Sequence, residues 1–151
     1  MALKEQITAE IKTAMKAGDS AKLNVLRGLS AVINNKALEK RAKTNDPNAA
    51  LTDEEIVQAF GTEAKRRKES AAAFVAGGRQ DLADNEMAEL TIIQAYLPKQ
   101  MSAAETETAV TDILAKTGLK EFGPAMKAVM AELRGKADAG AITEIIKKKL
   151  G

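Results

Sequence analysis

The side chains that could do chemistry in this sequence are carboxylates and cations. One short stretch contains four carboxylates, at Asp81, Asp84, Glu86 and Glu89. Carboxylates of this kind can serve as metal ligands or as general acids and bases. Metal sites in helical proteins, however, need carboxylates that converge from several helices, usually with histidine, whereas we interpret this stretch as the outer face of one helix. We therefore expect no catalytic group and no metal site here.

The residues that are missing exclude more functions than the residues that are present. The chain has no histidine and no cysteine, so it lacks an imidazole base, a thiol nucleophile, the usual zinc ligands and a disulfide. No glycine-rich phosphate loop is visible, and we expect no cofactor and no self-contained active site. A cysteine-free chain fits a reducing compartment. Because we also find neither a signal peptide nor a membrane span, we expect a cytoplasmic protein.

The cations are the second set of candidates. The chain has 23 Lys/Arg against 21 Asp/Glu, which is too balanced to indicate a nucleic-acid-binding protein by charge alone. The densest basic run is Lys65-Arg66-Arg67-Lys68, and four consecutive residues span about 300° of a helix, so they cannot all face one ligand. Glu63 with Arg67 and Lys65 with Glu69 are spaced for intrahelical ion pairs. The run is therefore either a solvated, salt-bridged face or, with Lys65 and Arg66, a polyanion contact.

A second group of cations follows the predicted second helix. Its members are Lys36, Lys40, Arg41 and Lys43. Cations in a last helical turn complement the helix macrodipole, so the group stabilises a helix end. Binding of phosphate is the alternative.

The elements that must position these side chains are helices. Strand signals are nearly absent, and a chain with 3% aromatic residues and no tryptophan must build its core from aliphatic side chains and alanine. The apolar spacing predicts an all-α protein of about seven helices. The predicted apolar stripes include Met15 on the first helix, Val75 on the third and Met87 on the fourth, with Leu38 as an optional last member on the second.

The chain is organised around a helix that runs into a proline. Leu90, Ile93 and Leu97 recur at spacings of three and four residues, which predicts a buried helix face that runs up to Pro98. We interpret residues 98–101 as a hinge, with Tyr96, the only tyrosine, at the junction. The predicted domains are a bundle of about four helices over residues 1–98 and a small three-helix tail over residues 99–151.

Capping residues set the predicted helix boundaries. We expect capping boxes at Thr52 and Ser102, and glycine terminators at Gly18, Gly77-Gly78 and Gly118. Asp138 is placed to cap the last helix.

Several of these segments together resemble the YqeY-like proteins. The resemblance is carried by Ala76-Gly77-Gly78-Arg79-Gln80-Asp81-Leu82, Glu86, Glu89, Ile93, Tyr96-Leu97-Pro98 and Gly135-Lys136-Ala137-Asp138. Residues from about Ala88 onward also resemble the tail of the B subunit of the aspartyl/glutamyl-tRNA amidotransferase. One departure is Ala139, where the family often has glycine, and this puts the geometry of that turn in question because alanine tolerates positive φ poorly.

The resemblance implies an association with tRNA and with a carbon–nitrogen ligase that uses glutamine as the amide donor. This chain has no visible machinery for that reaction, so we expect an accessory to it. One hypothesis is a tRNA-binding protein whose phosphate contacts are cations around a mobile turn, namely Arg134, Lys136, Lys120 and Lys127. The other is a helical adaptor that binds a protein partner and has no RNA or catalytic role.

Overall fold

The structure, a computed structural model, describes residues 2–151. Over these residues the chain forms helices and no strand, so the predicted all-α class is confirmed. The helices are α1 (Leu3–Ala17), α2 (Ser20–Thr44), α3 (Asp53–Ala76), α4 (Gln80–Gln94), α5 (Ala103–Thr117), α6 (Phe122–Leu133) and α7 (Ala139–Leu150).

The chain divides into two compact units between Leu97 and Pro98. The first unit contains α1 to α4 around an aliphatic core with one phenylalanine, Phe60, at its centre. Leu26, Ile56 and Ile93 are almost fully buried in it. The second unit contains α5, α6 and α7 around Val110, Val129, Ile142 and Ile146 and their neighbours. Each unit therefore has its own hydrophobic core.

Local sequence signals explain most of the helix ends. Gly18 adopts φ of 69°, which glycine reaches without strain, and ends α1. Asp19 accepts a hydrogen bond from the Lys22 amide at 3.1 Å and begins α2. Thr52 and Glu55 form the complete predicted capping box of α3. These contacts satisfy amides that a helix start would otherwise leave unpaired.

Two of the predicted boundaries change in the structure. Helix α4 ends at Gln94 and does not run to Leu97, because the amides of Tyr96 and Leu97 turn back to the carbonyls of Ile93 and Gln94 in tight three-residue turns. At α5, the Ser102 side chain accepts from the Glu105 amide at 3.1 Å, but the reciprocal half of the predicted box is absent.

Four apolar side chains predicted to be buried are exposed. The exposed fractions are 55% for Met15, 59% for Leu38, 54% for Val75 and 49% for Met87. Their spacing on the helix is right, but a buried stripe also needs a neighbouring element along its whole length, which periodicity does not report. Ala139 is the first residue of α7 and has no positive φ, so alanine is tolerated at that position.

Candidate functional site

The four carboxylates of α4 do not form a common outer face. Arg67 of α3 contacts both Glu86, at 3.3 Å, and Glu89, and these carboxylates are partly buried between the two helices. Asp81 instead pairs with Arg79 at 3.1 Å, and this guanidinium lowers the pKa of the Asp81 carboxyl. The interpretation as one solvated face is therefore wrong for Glu86 and Glu89, because α3 supplies a cation that the sequence of α4 cannot reveal.

The basic run of α3 is divided among several directions. Arg66 pairs with Glu63 at 3.3 Å, while Arg67 turns towards α4. Lys65 and Lys68 are exposed. The predicted pair of Glu63 with Arg67 is not formed, since Arg67 contacts two carboxylates on the neighbouring helix. The predicted pair of Lys65 with Glu69 is also absent among the described residues. Lys65 and Arg66 do not converge on one ligand.

The cations at the end of α2 hold a loop in place. The Lys40 ammonium group donates to the Glu55 carboxylate and to the Ala50 carbonyl, each at 2.9 Å. Arg41 Nε donates to the Ala49 carbonyl at 2.9 Å. The Lys40 bond is the main cause that lowers the pKa of Glu55. Because two of its four cations are engaged in this way, the group is better explained as an anchor for the loop than as a phosphate site.

Tyr96 connects the end of α4 to the first helix. Its ring packs edge-on to Phe60 with centroids 6.3 Å apart, and its hydroxyl donates to the Glu10 carboxylate. Burial raises the pKa of Glu10, but the hydrogen bonds from Tyr96 and Gln6 and the charge of Lys22 outweigh it, so the pKa lies below its ordinary value. The pKa of the Tyr96 hydroxyl is raised, mainly by burial and secondly by the hydrogen bond to Glu10. The junction tyrosine is a structural anchor.

The turn between α6 and α7 is held by the residues that precede α5. The Lys136 carbonyl accepts from the Met101 amide at 2.8 Å, and the Gly135 carbonyl accepts from the Gln100 side chain at 2.9 Å. Gly135 itself has φ of 79°, a conformation that favours glycine. Two long-range hydrogen bonds therefore hold the backbone of the turn that the sequence predicted to be mobile.

These two bonds assemble a group of exposed cations. They bring the segment that contains Lys99 next to the turn that contains Arg134 and Lys136, and all three side chains are exposed. We call Lys99, Arg134 and Lys136 the basic patch. The sequence reasoning missed Lys99, since it is separated from the others by about 35 residues. Only a contact between the two segments could have revealed it.

The remaining candidates on this unit lie further away. Lys127 is exposed on α6, seven residues before Arg134, so it shares a helix face with it about 10 Å away. Lys120 precedes α6 and lies near the opposite end of that helix, about 20 Å away along the axis. The structure therefore groups Lys127 loosely with the basic patch and separates Lys120 from it. Asp138 accepts from the Ala141 amide at 2.9 Å and caps α7.

Other kinds of site are not found in the part of the chain that the structure describes. Residues 2–151 contain no group of three or more acidic side chains placed to hold a metal ion. Over the same range, every helix is too short or too polar to cross a membrane. Two surface depressions, one beside α1 and one beside the lysines at the end of α7, are open and lined mainly by charged residues.

Comparison with known proteins gives a match over almost the whole chain. The family model described as "Yqey-like protein" matches residues 4–150. Among curated relatives, the protein named "Altered inheritance of mitochondria protein 41, mitochondrial" of Eremothecium gossypii is 35% identical over 66% of this chain and 51% of its own length. The protein of that name from Kluyveromyces lactis is 27% identical over 85% of this chain and 65% of its own length.

These relatives correct one expectation. Their names describe mitochondrial proteins, and so does that of a third relative, from Candida glabrata, which is 27% identical over 89% of this chain and 70% of its own length. The expectation of a cytoplasmic protein, which rested on the absence of recognisable targeting signals, is therefore wrong by this comparison. The chain spans about half to two-thirds of the length of the first two relatives.

Proposed function

The chain belongs to the YqeY-like protein family, and from that premise we propose that it is an accessory protein that binds tRNA through its C-terminal unit. The observation that carries the proposal is the basic patch. Lys99, Arg134 and Lys136 are exposed on a backbone that hydrogen bonds hold in place, and none of them pairs with a described carboxylate. Cations on a fixed backbone bind phosphate with a smaller loss of conformational entropy.

The distribution of charge supports the same unit. Residues 98–151 contain nine Lys/Arg and seven Asp/Glu, whereas residues 1–97 contain fourteen of each. The formal net charge of +2 therefore belongs entirely to the C-terminal unit. A polyanion is attracted preferentially to that unit, although a charge of this size supports weak binding that salt readily screens.

The side chains of the basic patch favour contact with the phosphate backbone. Recognition of single-stranded bases commonly uses exposed aromatic rings for stacking, and the patch contains none. Lys99, Arg134 and Lys136 can follow phosphates without reading sequence. We therefore propose binding that depends on the shape and charge of the RNA and hardly on its sequence.

The choice of tRNA rests on the resemblance of the C-terminal part to the tail of the amidotransferase B subunit. We propose that any carbon–nitrogen ligase reaction with glutamine as the amide donor takes place on a partner enzyme. The described residues offer no nucleophile–base pair that could perform it, and the phosphate loop and histidine or cysteine chemistry are missing from the sequence.

The test is the binding of the full chain to bulk tRNA at low and at moderate salt. We expect binding at about 50 mM salt that falls steeply by about 200 mM, because association releases counterions. A ribosomal RNA fragment of equal length serves as competitor: equal competition would reject tRNA preference while leaving backbone binding in place. No binding at the lower salt would reject the proposal.

The adaptor without an RNA or catalytic role is the second candidate. One observation favours it, namely that Val75 and Met87 expose about half of their apolar surface on neighbouring helices. Absence of RNA binding together with a stable complex with another protein would select it.

A further inference from the structure

The distal half of the α3–α4 hairpin lies outside the main core of the first unit, within the part of the chain that the structure describes. The main core of the first unit reaches Ala64 on α3 and Leu90 on α4, but includes no residue of 65–76 or 80–89. In these segments Ala71 and Ala83 are the buried side chains, and Arg67 with Glu86 and Glu89 joins the helices. We call these two segments the outer hairpin. Small alanine side chains let its axes approach closely.

One face of the outer hairpin carries two ridges, one with two lysines and one with a single aspartate. On α3, residues at offsets of three, seven and ten from Lys65 form the first ridge, which we call the lysine ridge: Lys65, Lys68, Ala72 and Val75. On α4, residues at offsets of four, seven and eleven from Gln80 form a second ridge, which we call the carboxylate ridge after its one acid, Asp84: Gln80, Asp84, Met87 and Thr91. All eight side chains are exposed. Within the described residues, Lys65 and Lys68 pair with no carboxylate, and Asp84 pairs with no cation.

Helix geometry places both ridges on the same side of the hairpin. Arg67 and Ala71 mark the side of α3 that faces α4. Each residue of a helix is rotated by about 100° about the helix axis, so the lysine ridge lies about 60 to 140° around α3 from that side. Glu86 and Leu90 mark the side of α4 that faces α3, and the carboxylate ridge lies at about the same angles around α4 from that side. Because the two helices run in opposite directions and are both right-handed, these equal rotations point to one common face.

We propose that this face binds a second copy of the chain, so that two outer hairpins form a four-helix bundle. A twofold axis parallel to the helices places the lysine ridge of each copy on the carboxylate ridge of the other. The face is therefore complementary to itself, which is the property that a twofold interface requires. Every neighbouring pair of helices in the bundle is then antiparallel, as in common four-helix bundles.

The positions of Lys68 and Asp84 along the helix axes agree with this arrangement. Arg67 contacts Glu86 and Glu89, so Lys68 lies level with that part of α4. Asp84 is about 3 to 8 Å further along the axis, within reach of a lysine side chain. Lys68 of one copy can then pair with Asp84 of the other, twice per dimer, while Met87 packs on Ala72 and the lysine stem. The same contacts cover the half-exposed Val75 and Met87.

The test is a charge exchange between two variants of the full chain. Lys68→Glu puts two like-charged pairs into its own dimer, and so does Asp84→Lys, so each variant alone should self-associate roughly tenfold more weakly than the unaltered chain. Mixing the two variants should restore association, because the mixed dimer has two opposite-charge pairs. Lys43→Glu, an exposed change at the end of α2, controls for net charge.

Sedimentation velocity with one variant fluorescently labelled measures homodimers and mixed dimers separately. Recovery of the mixed dimer, with unchanged association of Lys43→Glu, supports the proposal. An unaltered chain that stays monomeric at about 100 μM overturns it, since a specific interface of this kind should be populated there. A dimer that is insensitive to both charge reversals also overturns it, because its interface must lie elsewhere. Circular dichroism shows that each variant is folded.

Discussion

The hydroxyl of Tyr96 donates a hydrogen bond to the carboxylate of Glu10, which lies 86 residues earlier in the chain. The bond joins the turn after α4 to the middle of α1, and Tyr96 is only 9% exposed. Lys22 of α2 lies 3.7 Å from the same carboxylate. Three elements of the first unit therefore meet at one carboxyl group.

The first prediction is that Tyr96→Phe lowers the free energy of unfolding by about 1 to 2 kcal/mol at neutral pH, because the ring packing remains while one charged hydrogen bond is lost. Urea denaturation of the variant and the unaltered chain measures the difference. Tyr96→Ala should cost more, since it also removes the contact with Phe60. Equal stability of Tyr96→Phe and the unaltered chain would contradict the role of the hydroxyl.

The same contact predicts a pH dependence. The folded-state pKa of Glu10 is below its ordinary value of 4.5, so the unfolded chain binds the proton more readily. The stabilisation is therefore fully present above the unfolded pKa and is lost as the pH falls through the folded pKa. The stability difference between the unaltered chain and Tyr96→Phe should shrink between neutral pH and about pH 3. A difference that grows on acidification would contradict this prediction.

Arg67 and Arg66 are adjacent but should differ in importance. Arg67→Ala leaves Glu86 and Glu89 without their shared cation, and we expect a loss of about 1 to 2 kcal/mol, kept modest because the Arg67 side chain is 27% exposed. Arg66→Ala, at a side chain that is 71% exposed, should change stability by less than about 0.5 kcal/mol. Thermal and urea unfolding of both variants compares them. Equal effects would show that the interhelical pair contributes nothing specific.

The buried face of α4 gives a prediction with an exposed control. Ile93 is 0% exposed, and Ile93→Ala should cost about 2 to 4 kcal/mol because the lost transfer free energy adds to the cost of a cavity. Leu38→Ala removes a similar amount of apolar side chain at a position that is 59% exposed, and should be nearly neutral. Chemical denaturation at one pH measures both. A small effect at Ile93 would contradict its burial.

The proposed RNA contact predicts the behaviour of the basic patch. Changing both Arg134 and Lys136 to Ala should weaken tRNA binding for all tRNA sequences, and should reduce the slope of log affinity against log salt by roughly 0.7 to 0.9 per lost contact. Adding Lys99→Ala should reduce the slope once more. The double variant Lys65→Ala/Arg66→Ala is the matched control and should have a smaller effect. Unchanged affinity in a folded Arg134/Lys136 variant would remove this surface from the proposal.

The sequence by itself determined the elements of this protein. Apolar periodicity, the capping box at Thr52, the N-cap at Asp138 and the glycines at positions 18 and 118 act within a few residues, so they can be read along the chain. The all-α class and the family resemblance follow from such local signals. They also placed Ile93 correctly in the core.

Only the tertiary structure decided which charged side chains remain available. Arg67 turns to α4 and Lys40 holds the loop before α3, while Gln100 bonds the turn after α6 and so leaves its neighbour Lys99 exposed near that turn. The exposure of Met87 and Val75 was also decided there, because it depends on whether another helix lies opposite. Periodicity describes one helix at a time. Ion pairing and burial depend on two surfaces that meet, and the sequence of one helix does not show which residues of another helix lie opposite it.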